Sequence, residues 1–227
     1  MLLRDALARE HGMLVAVLLV LVGGFLFAEI ADDVLEGETR AVDEYVLLLF
    51  RSAHDPTDPL GPHWLEETAR DVTGLGGIGI LAFVALASAG FLVLQGKANL
   101  ARYLLAAVGS GMVLSMLLKL GFDRPRPDLV PHGQIVYTSS FPSGHSMMSA
   151  ITYLTLGALL ASAQTSMLLR AYLLGVAMLL TVAVGISRVY LGVHWPTDVV
   201  GGWIAGGAWA LACYYLARYL RRRGKVE

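Results

Sequence analysis

The sequence predicts an all-α membrane protein with about six transmembrane helices and short interfacial helices after the first span. Hydrophobic residues make up 56% of the 227 residues and charged residues only 15%, which is too apolar for an ordinary soluble domain. Several apolar runs also reach the roughly 18 to 20 residues that a helix needs to cross a bilayer. The length suits one domain, so residues 1–227 are interpreted as a single membrane domain.

Six apolar segments follow a short charged stretch, residues 1–10, that is predicted to lie at the membrane surface. They cover residues 13–30, 74–95, 103–120, 142 to about 163, 167–186 and 199–220. The first is interpreted as a retained span rather than a signal peptide, because acidic residues follow it where a cleavage site would have small residues.

The acidic stretch 31–73, between the first two spans, is too polar to cross the membrane. Within it, residues 42–50 and 62–72 have the pattern of interfacial helices. Such helices either rest on the bilayer or form a wall over a site, and the sequence leaves both open.

Glycines inside the spans predict close helix packing. Those at 74, 76 and 79 formally match the GxGxxG of dinucleotide-binding loops, but a membrane span cannot contain the strand that this loop must follow. Gly202, Gly206 and Gly207 have the small-residue spacing of helix contacts in membranes.

Lysine and arginine predict the orientation of the chain. With six spans, the acidic stretch, the loop 121–141 and the link 187–198 fall on one side of the membrane. The basic residues outside those polar segments fall on the other side, at Arg4, Arg9, Lys97, Arg102, Arg170 and 221–223. The positive-inside rule therefore predicts a multi-pass protein of the cell (plasma or inner) membrane, with both termini cytoplasmic and the polar clusters facing outward.

The link 187–198 carries a cation, an imidazole and a carboxylate at Arg188, His194 and Asp198. Pro196 is typical of the first turn of a helix, which would put Asp198 one turn from His194. The carboxylate can then accept from one ring nitrogen and leave the other free as base, ligand or nucleophile. A capped helix start, with Arg188 as an interfacial anchor, explains the same residues.

Two further clusters fall on the same predicted face. Lys119 and Arg126 add fixed cations, and the surplus of positive charge suits a phosphate, which arginine binds in a bidentate way. The stretch 142–145, Pro-Ser-Gly-His, reads as a helix N-terminus whose free N–H groups would point at an anion.

Together the three clusters resemble the signature of the type-2 phosphatidic acid phosphatase superfamily. That signature is KxxxxxxRP, PSGH and SRxxxxxHxxxD, and residues 119–127, 142–145 and 187–198 match it at every defining position. The motif region 119–198 carries the likeness, and the span pattern extends it to most of the chain.

The resemblance implies a role for each matched residue. His194 would be the nucleophile that forms a phosphohistidine, Asp198 would orient it, and His145 would protonate the leaving oxygen. The phosphate oxygens would be held by Lys119, Arg126, Ser143, Gly144 and Arg188. The resemblance implies no metal and no other cofactor.

The loop 121–141 contains two Arg-Pro pairs, beginning at Arg124 and Arg126. The spacing from Lys119 in the resembled motif selects Arg126. Arg124 is then expected to be a peripheral charge or a contact with a lipid headgroup.

A lipid phosphate or diphosphate in the bilayer is the predicted partner, and no nucleic acid is expected. The resemblance puts undecaprenyl diphosphate first, followed by phosphatidylglycerophosphate and phosphatidic acid, with a lipid A phosphate as a further candidate. The oligomeric state is left open.

Three other interpretations of the sequence are disfavoured. A non-catalytic lipid-binding or transport protein is disfavoured because the span interiors are nearly free of charge, whereas transporters place ionisable residues near the midplane. A metal site is disfavoured by the neighbouring cations. A serine hydrolase is disfavoured because the chain has no GxSxG.

Overall fold

The fold is that of a computed structural model, which describes residues 2–128 and 138–222, with side chains from residue 12 to residue 220 outside the gap. Within these ranges the chain forms α-helices and no extended strand. The helices are α1 Leu2–Glu36, α2 Arg40–Leu48, α3 His63–Gly74, α4 Ile78–Leu94, α5 Ala98–Leu120, α6 Gly144–Ser162, α7 Met167–Tyr190 and α8 Pro196–Arg222.

Among the described residues, four helical segments are long and apolar enough to cross a membrane. They are Gly12–Glu36, Ala98–Leu120, Met167–Tyr190 and Pro196–Leu220. Helices α3 and α4 meet the same criterion only as a pair, and the pair is bent by 50°. The structure therefore supports four or five candidate spans, and the predicted number of six is not confirmed.

Helix α6 matches the predicted fourth span in position, but its composition differs from that of a lipid-facing helix. It packs against α4, α5, α7 and α8. Ser146, Ser149, Thr152 and Thr155 are buried along it. Neighbouring helices shield α6 from lipid, so it tolerates a more polar sequence than a helix facing hydrocarbon.

Helix α1 is longer than the predicted first span. The stretch 1–10, expected as a separate surface segment, is from Leu2 onward continuous with the helix. Its outer face is apolar and exposed at Leu14, Leu18, Leu21 and Phe25. An apolar face of this size is what a lipid-facing helix presents.

The predicted packing role of the glycines is confirmed at three of six positions, where an added Cβ would overlap a neighbouring segment. It is wrong at the other three, which have no such neighbour closer than 3.9 Å: Gly74, Gly79 and Gly207. At Gly76 the added Cβ would lie 2.4 Å from Val184 Cγ1. At Gly206 it would lie 2.5 Å from the carbonyl oxygen of Met147. At Gly202 it would lie 2.8 Å from the carbonyl oxygen of Ser143. Because these contacts are so short, α8 lies directly against α6 and fixes the spacing of their N-terminal ends.

The two predicted interfacial helices are confirmed as helices, α2 and α3. Helix α2 contacts α8 and α3 contacts α7. Both therefore lie against the end of the bundle where α7 ends and α8 begins. Of the two arrangements left open by the sequence, this packing corresponds to a wall beside the polar cluster.

Candidate active site

The three motifs meet at one end of the helix bundle. Lys119 lies in the last turn of α5, Arg188 in the last turn of α7 and Asp198 in the first turn of α8. Residues Ser143, Gly144 and His145 form the start of α6. Since consecutive long helices run in opposite directions, the C-terminal ends of α5 and α7 lie beside the N-terminal ends of α6 and α8.

Hydrogen bonds join the third motif to each of the other two, and the first and second motifs approach each other closely. Arg126 Nη1 lies 3.1 Å from His194 Nε2. The backbone N–H of Ser143 donates to the carbonyl oxygen of Asp198 at 2.9 Å. A Cβ added at Gly144 would lie 3.5 Å from Lys119 Cε. The residues predicted from three separate stretches are thus brought into one cluster.

The local sequence after α7 explains how α8 starts in the right place. Trp195 precedes the helix, Pro196 opens it, and the carboxylate of Asp198 accepts from the backbone N–H of Trp195 at 2.9 Å. This is the back-bonding half of a capping box, with proline at the position where its missing N–H costs nothing. The cap aims the Asp198 side chain back toward residue 194.

His194 is buried and both of its ring nitrogens are engaged. Nδ1 lies 3.3 Å from Asp198 Oδ2 and 3.3 Å from Ser140 Oγ, while Nε2 lies 3.1 Å from Arg126 Nη1. Because arginine has only donors, Nε2 must accept, and the proton belongs on Nδ1 facing the carboxylate. The lone pair of Nε2 is therefore turned toward the arginine side chains.

The surroundings keep the imidazole neutral. Burial lowers the pKa of His194 from 6.5 to about 3, opposed by the hydrogen bond and charge of Asp198 and reinforced by Arg126 and Arg188. At neutral pH the ring therefore carries no proton on Nε2, and that nitrogen keeps its lone pair.

The carboxylate of Asp198 is held at both oxygens. Oδ2 accepts from Ser140 Oγ at 2.5 Å, in addition to Trp195. Oδ1 accepts from Arg124 Nη1 at 2.6 Å. A carboxylate with this many donors has little freedom to rotate, so its orientation toward His194 is well defined.

The cations carry unused hydrogen-bonding capacity. Arg126 donates through Nη1 to the carbonyl oxygen of Val193 at 2.9 Å, and Arg188 donates to Thr73 Oγ1 at 3.0 Å. Yet Nε of Arg126 and Nε of Arg188 are both buried without a hydrogen-bond partner. Buried donors without partners are costly, and an anion bound between these side chains would satisfy them.

Ser143 and Gly144 shape the start of α6. Ser143 is the N-cap, and its Oγ accepts from the backbone N–H of Ser146 at 3.4 Å and from Ser146 Oγ at 3.0 Å. Its own O–H remains a donor. Gly144 leaves open the space beside Lys119 that a side chain would fill. His145 lies in the next position, where burial, and after it the charges of Arg188, Arg126 and Lys119, lower its pKa from 6.5 to about 3.

The position of Arg124 differs from the expectation of a peripheral charge. Its side chain is only 9% exposed and pairs with two fully buried carboxylates, Asp198 and Asp43. Asp43 is not among the site residues predicted from the sequence. A signal existed, because Asp43 lies one turn from Leu47 on the buried face of α2, where a carboxylate needs a partner.

These features define a membrane protein of long apolar helices with a cluster of histidine, arginine and aspartate at one end of its helical bundle. The profile of the PAP2 superfamily matches residues 100–222, more than half of the chain. The chain belongs to this phosphatase family and is a multi-pass membrane protein.

Relatives within the family have several different names. Over 147 residues the chain is 35% identical to phosphatidylglycerophosphatase B of Bacillus subtilis, covering 63% of this chain and 70% of the relative. It is 42% identical over 67 residues to an undecaprenyl-diphosphatase of Sulfolobus acidocaldarius, covering 30% of this chain and 28% of that one. It is 32% identical over 118 residues to lipid A 1-phosphatase of Rhizobium etli, covering 48% and 47%.

Two solved structures share the fold. The crystal structure of a transmembrane PAP2-type phosphatidylglycerolphosphate phosphatase from Bacillus subtilis aligns with a TM-score of 0.73 and 28% identity, covering 91% of this chain and 98% of that one. The crystal structure of Aquifex aeolicus LpxE aligns with a TM-score of 0.57 and 23% identity, covering 77% and 95%. The second likeness is one of fold alone.

Proposed function

We propose that this protein is a metal-independent lipid phosphatase that works through a phosphohistidine at His194. The observation that carries the proposal is the tautomer of His194. Its Nδ1–H faces Asp198, and the lone pair of its Nε2 faces Arg126. A nucleophilic nitrogen beside cations is suited to attack a phosphorus atom whose oxygens those cations hold.

In the first half of the reaction, Nε2 of His194 attacks phosphorus. The Nε2–P bond forms as the bond from phosphorus to the lipid oxygen breaks. His145, which holds a proton once the bound phosphate offsets the charges of the neighbouring cations, gives that proton to the departing oxygen. The imidazole becomes positive, and Asp198 stabilises that charge through Nδ1–H. Arg126, Arg188 and Lys119 stabilise the charge that spreads over the phosphoryl oxygens.

In the second half, water replaces the lipid. His145, now neutral, accepts a proton from water as its oxygen attacks phosphorus. The Nε2–P bond breaks, its electron pair returns to His194, and inorganic phosphate leaves. His145 again holds the proton that it held when the substrate was bound.

A lipid substrate fits the surroundings of the site. A cavity of about 580 Å³ adjoins Lys119 and combines polar lining at Asp123 and Ser139 with apolar lining at Met116 and Leu120. Both apolar side chains are also exposed on the outer face of α5. Lys119 is the proposed phosphate-binding residue that lines this cavity, so the cavity can hold the part of the lipid next to the phosphate, and the tail would leave along α5 into the bilayer.

Among the lipids, we put phosphatidylglycerophosphate first. The long match to phosphatidylglycerophosphatase B covers 70% of that relative, whereas the match to the undecaprenyl-diphosphatase covers 28%. Undecaprenyl diphosphate, the first candidate from the sequence resemblance, is the second candidate, and phosphatidic acid is the third.

The test is phosphate release by purified protein in detergent with EDTA present, with the three lipids offered side by side. We expect release that is fastest from phosphatidylglycerophosphate and absent in His194→Ala. Brief incubation with labelled lipid should trap an acid-labile phosphoenzyme in the wild type and none in the variant. Turnover that survives in His194→Ala would rule out the nucleophile. No release from any lipid would favour a non-catalytic lipid-binding protein.

We further propose that the site opens at the outer face of the membrane. The end of the bundle opposite the site carries Lys97, Arg102 and Arg170, while exposed acidic residues follow the first span at Asp32 and Asp33. This distribution agrees with the positive-inside rule.

Cysteine labelling tests this orientation. The only cysteine, Cys213, is first replaced by serine, and Glu38→Cys and Lys97→Cys are then compared in intact cells. An impermeant maleimide should label residue 38 and spare residue 97. The opposite pattern would place the site on the cytoplasmic side.

A further inference from the structure

A buried ion-pair chain links the interfacial helix α2 to the candidate catalytic carboxylate. Arg124 lies between two acids and gives one guanidinium nitrogen to each. Its Nη1 donates to Asp198 Oδ1 at 2.6 Å, and its Nη2 donates to Asp43 Oδ2 at 2.5 Å. Both carboxylates are fully buried. The planar fork of arginine suits such a bridge, because its nitrogens are held at a fixed spacing.

Thr197 bonds to both Asp43 and Arg124, so that Arg124, Asp43 and Thr197 form a closed ring of hydrogen bonds. Asp43 Oδ1 accepts from the backbone N–H of Thr197 at 2.9 Å, and Asp43 Oδ2 accepts from Thr197 Oγ1 at 2.7 Å. Thr197 Oγ1 also accepts from Arg124 Nη1 at 2.8 Å. Asp43 thereby satisfies a free N–H in the first turn of α8, immediately before Asp198.

The loop that carries Arg124 is itself held against the start of α8. Trp195 Nε1 donates to the carbonyl oxygen of Pro125 at 3.0 Å, and the carbonyl oxygen of Arg124 accepts from the backbone N–H of Ser140 at 3.0 Å. The backbone on both sides of the ring is therefore fixed, and the ring closes only if α2 supplies Asp43.

We propose that Asp43 and Arg124 are positioning residues that hold Asp198 against His194, so that the interfacial helix α2 completes the active site. Neither residue touches the reacting atoms. Both act through Asp198, whose Oδ1 they fix while Oδ2 faces His194 Nδ1. The proposal rests on the proposed role of His194 as nucleophile.

Removing one member of the ring leaves the others buried and incompletely paired. Asp43→Asn keeps the shape of the side chain but removes the charge that balances Arg124, so the guanidinium is free to shift and carry Asp198 with it. The phosphate-binding cations Lys119, Arg126 and Arg188 do not touch Asp43. A positioning role therefore predicts a loss in kcat with KM largely kept.

The experiment compares Asp43→Asn with Glu44→Gln, the same change at the next residue. Within the described residues, the ion pair of Glu44 is with Arg40 at the surface of α2, and Glu44 serves as the matched control. Turnover is measured per folded protein, after gel filtration and thermal unfolding in detergent. We expect kcat to fall about 10- to 100-fold in Asp43→Asn, with KM within about threefold. Glu44→Gln should stay within about twofold of the wild type.

The rate of phosphoenzyme formation provides a readout that a purely structural role would not move. In folded Asp43→Asn, a single turnover with labelled lipid should form phosphohistidine more slowly by the same factor as kcat. Combining Asp43→Asn with Arg124→Gln should cost less than the product of the single losses, because both changes break one ring.

Two results would overturn the inference: kcat of folded Asp43→Asn within twofold of the wild type, or equal losses in Asp43→Asn and Glu44→Gln. If Asp43→Asn does not fold, Arg124→Lys is measured instead, because a single ammonium group cannot reproduce the two contacts of the guanidinium. An unchanged kcat in Arg124→Lys would also overturn the inference. His194→Ala separates this failure from that of the proposed function. If His194→Ala is inactive, the assignment of His194 as nucleophile stands, and a failure concerns only the proposed role of Asp43 and Arg124. If His194→Ala is active, both the proposed function and this inference lose their basis.

Discussion

Arg126 Nη1 donates to His194 Nε2 across 3.1 Å, so the same arginine that can hold a phosphate also marks the nitrogen that would attack it. Without an anion, the arginine occupies the lone pair of Nε2. A bound phosphate would draw the guanidinium to its own oxygens and release that lone pair. In the proposed mechanism, binding of the anion and activation of His194 would thus be coupled in one contact.

The first prediction contrasts the two arginines of the loop. Arg126→Ala removes a cation that faces the anion, so inorganic phosphate should inhibit the variant far less strongly, and KM should rise together with a fall in kcat. Arg124→Ala removes a contact to Asp198 and should lower kcat while inhibition by phosphate stays the same. Steady-state kinetics with phosphate as inhibitor check this, and equal loss of inhibition in both variants would contradict it.

The second prediction concerns stability and pH. His194 has a pKa of about 3 in the folded protein against 6.5 when unperturbed, so below pH 6.5 the unfolded chain binds a proton that the folded one does not. Stability should therefore fall as the pH drops from about 6.5 toward 3, by up to about 1.4 kcal/mol per pH unit.

Thermal unfolding in detergent at pH 7 and pH 5 measures this effect. His194→Gln lacks the titrating group, and its melting temperature should depend less on pH than that of the wild type. An equal pH dependence in both proteins would mean that other groups dominate the acid sensitivity.

The third prediction is that turnover resists chelators. In the proposed site, Lys119, Arg126 and Arg188 would supply the positive charge that a divalent ion provides in other phosphatases. Phosphate release should therefore be the same with and without EDTA, and added Mg²⁺ should not increase it. Loss of activity in EDTA, restored by a divalent ion, would show that the charge comes from elsewhere.

The pairing of His194 with Asp198 was predictable because it is local. The two residues are four apart, and Pro196 marks the helix start that brings them together. Asp43 and Arg124 are 81 residues apart, and no spacing rule connects them. Their contact depends on how α2 packs against α8, which follows from tertiary structure rather than from a motif.

The number of membrane spans was also only partly predictable from the sequence. Apolar composition located the long helices other than α1 to within about five residues, because hydrocarbon selects apolar side chains. Helix α1 begins at Leu2 and extends well beyond the predicted span 13–30 at both ends. Composition cannot tell which helices face lipid, however. Helix α6 packs against four other helices and buries serine and threonine, so its position in the chain was predictable while its place inside the bundle was not.

The final prediction tests whether the close contact between α6 and α8 positions the site. A Cβ at Gly206 would lie 2.5 Å from the carbonyl oxygen of Met147, whereas a Cβ at Gly207 has its nearest such neighbour at 4.0 Å. Gly206→Ala should push α8 away from α6 and cost about 1 to 3 kcal/mol, as overpacking typically does. Gly207→Ala should be neutral or slightly stabilising, since alanine favours the helix.

Thermal unfolding and kcat are measured for both variants. Because the first turns of α6 and α8 carry His145 and Asp198, we expect Gly206→Ala to lower kcat as well as the melting temperature, with Gly207→Ala leaving both close to the wild type. Equal behaviour of the two variants would contradict the packing. A lower melting temperature with unchanged kcat would mean that α8 adjusts at its far end and leaves the site intact.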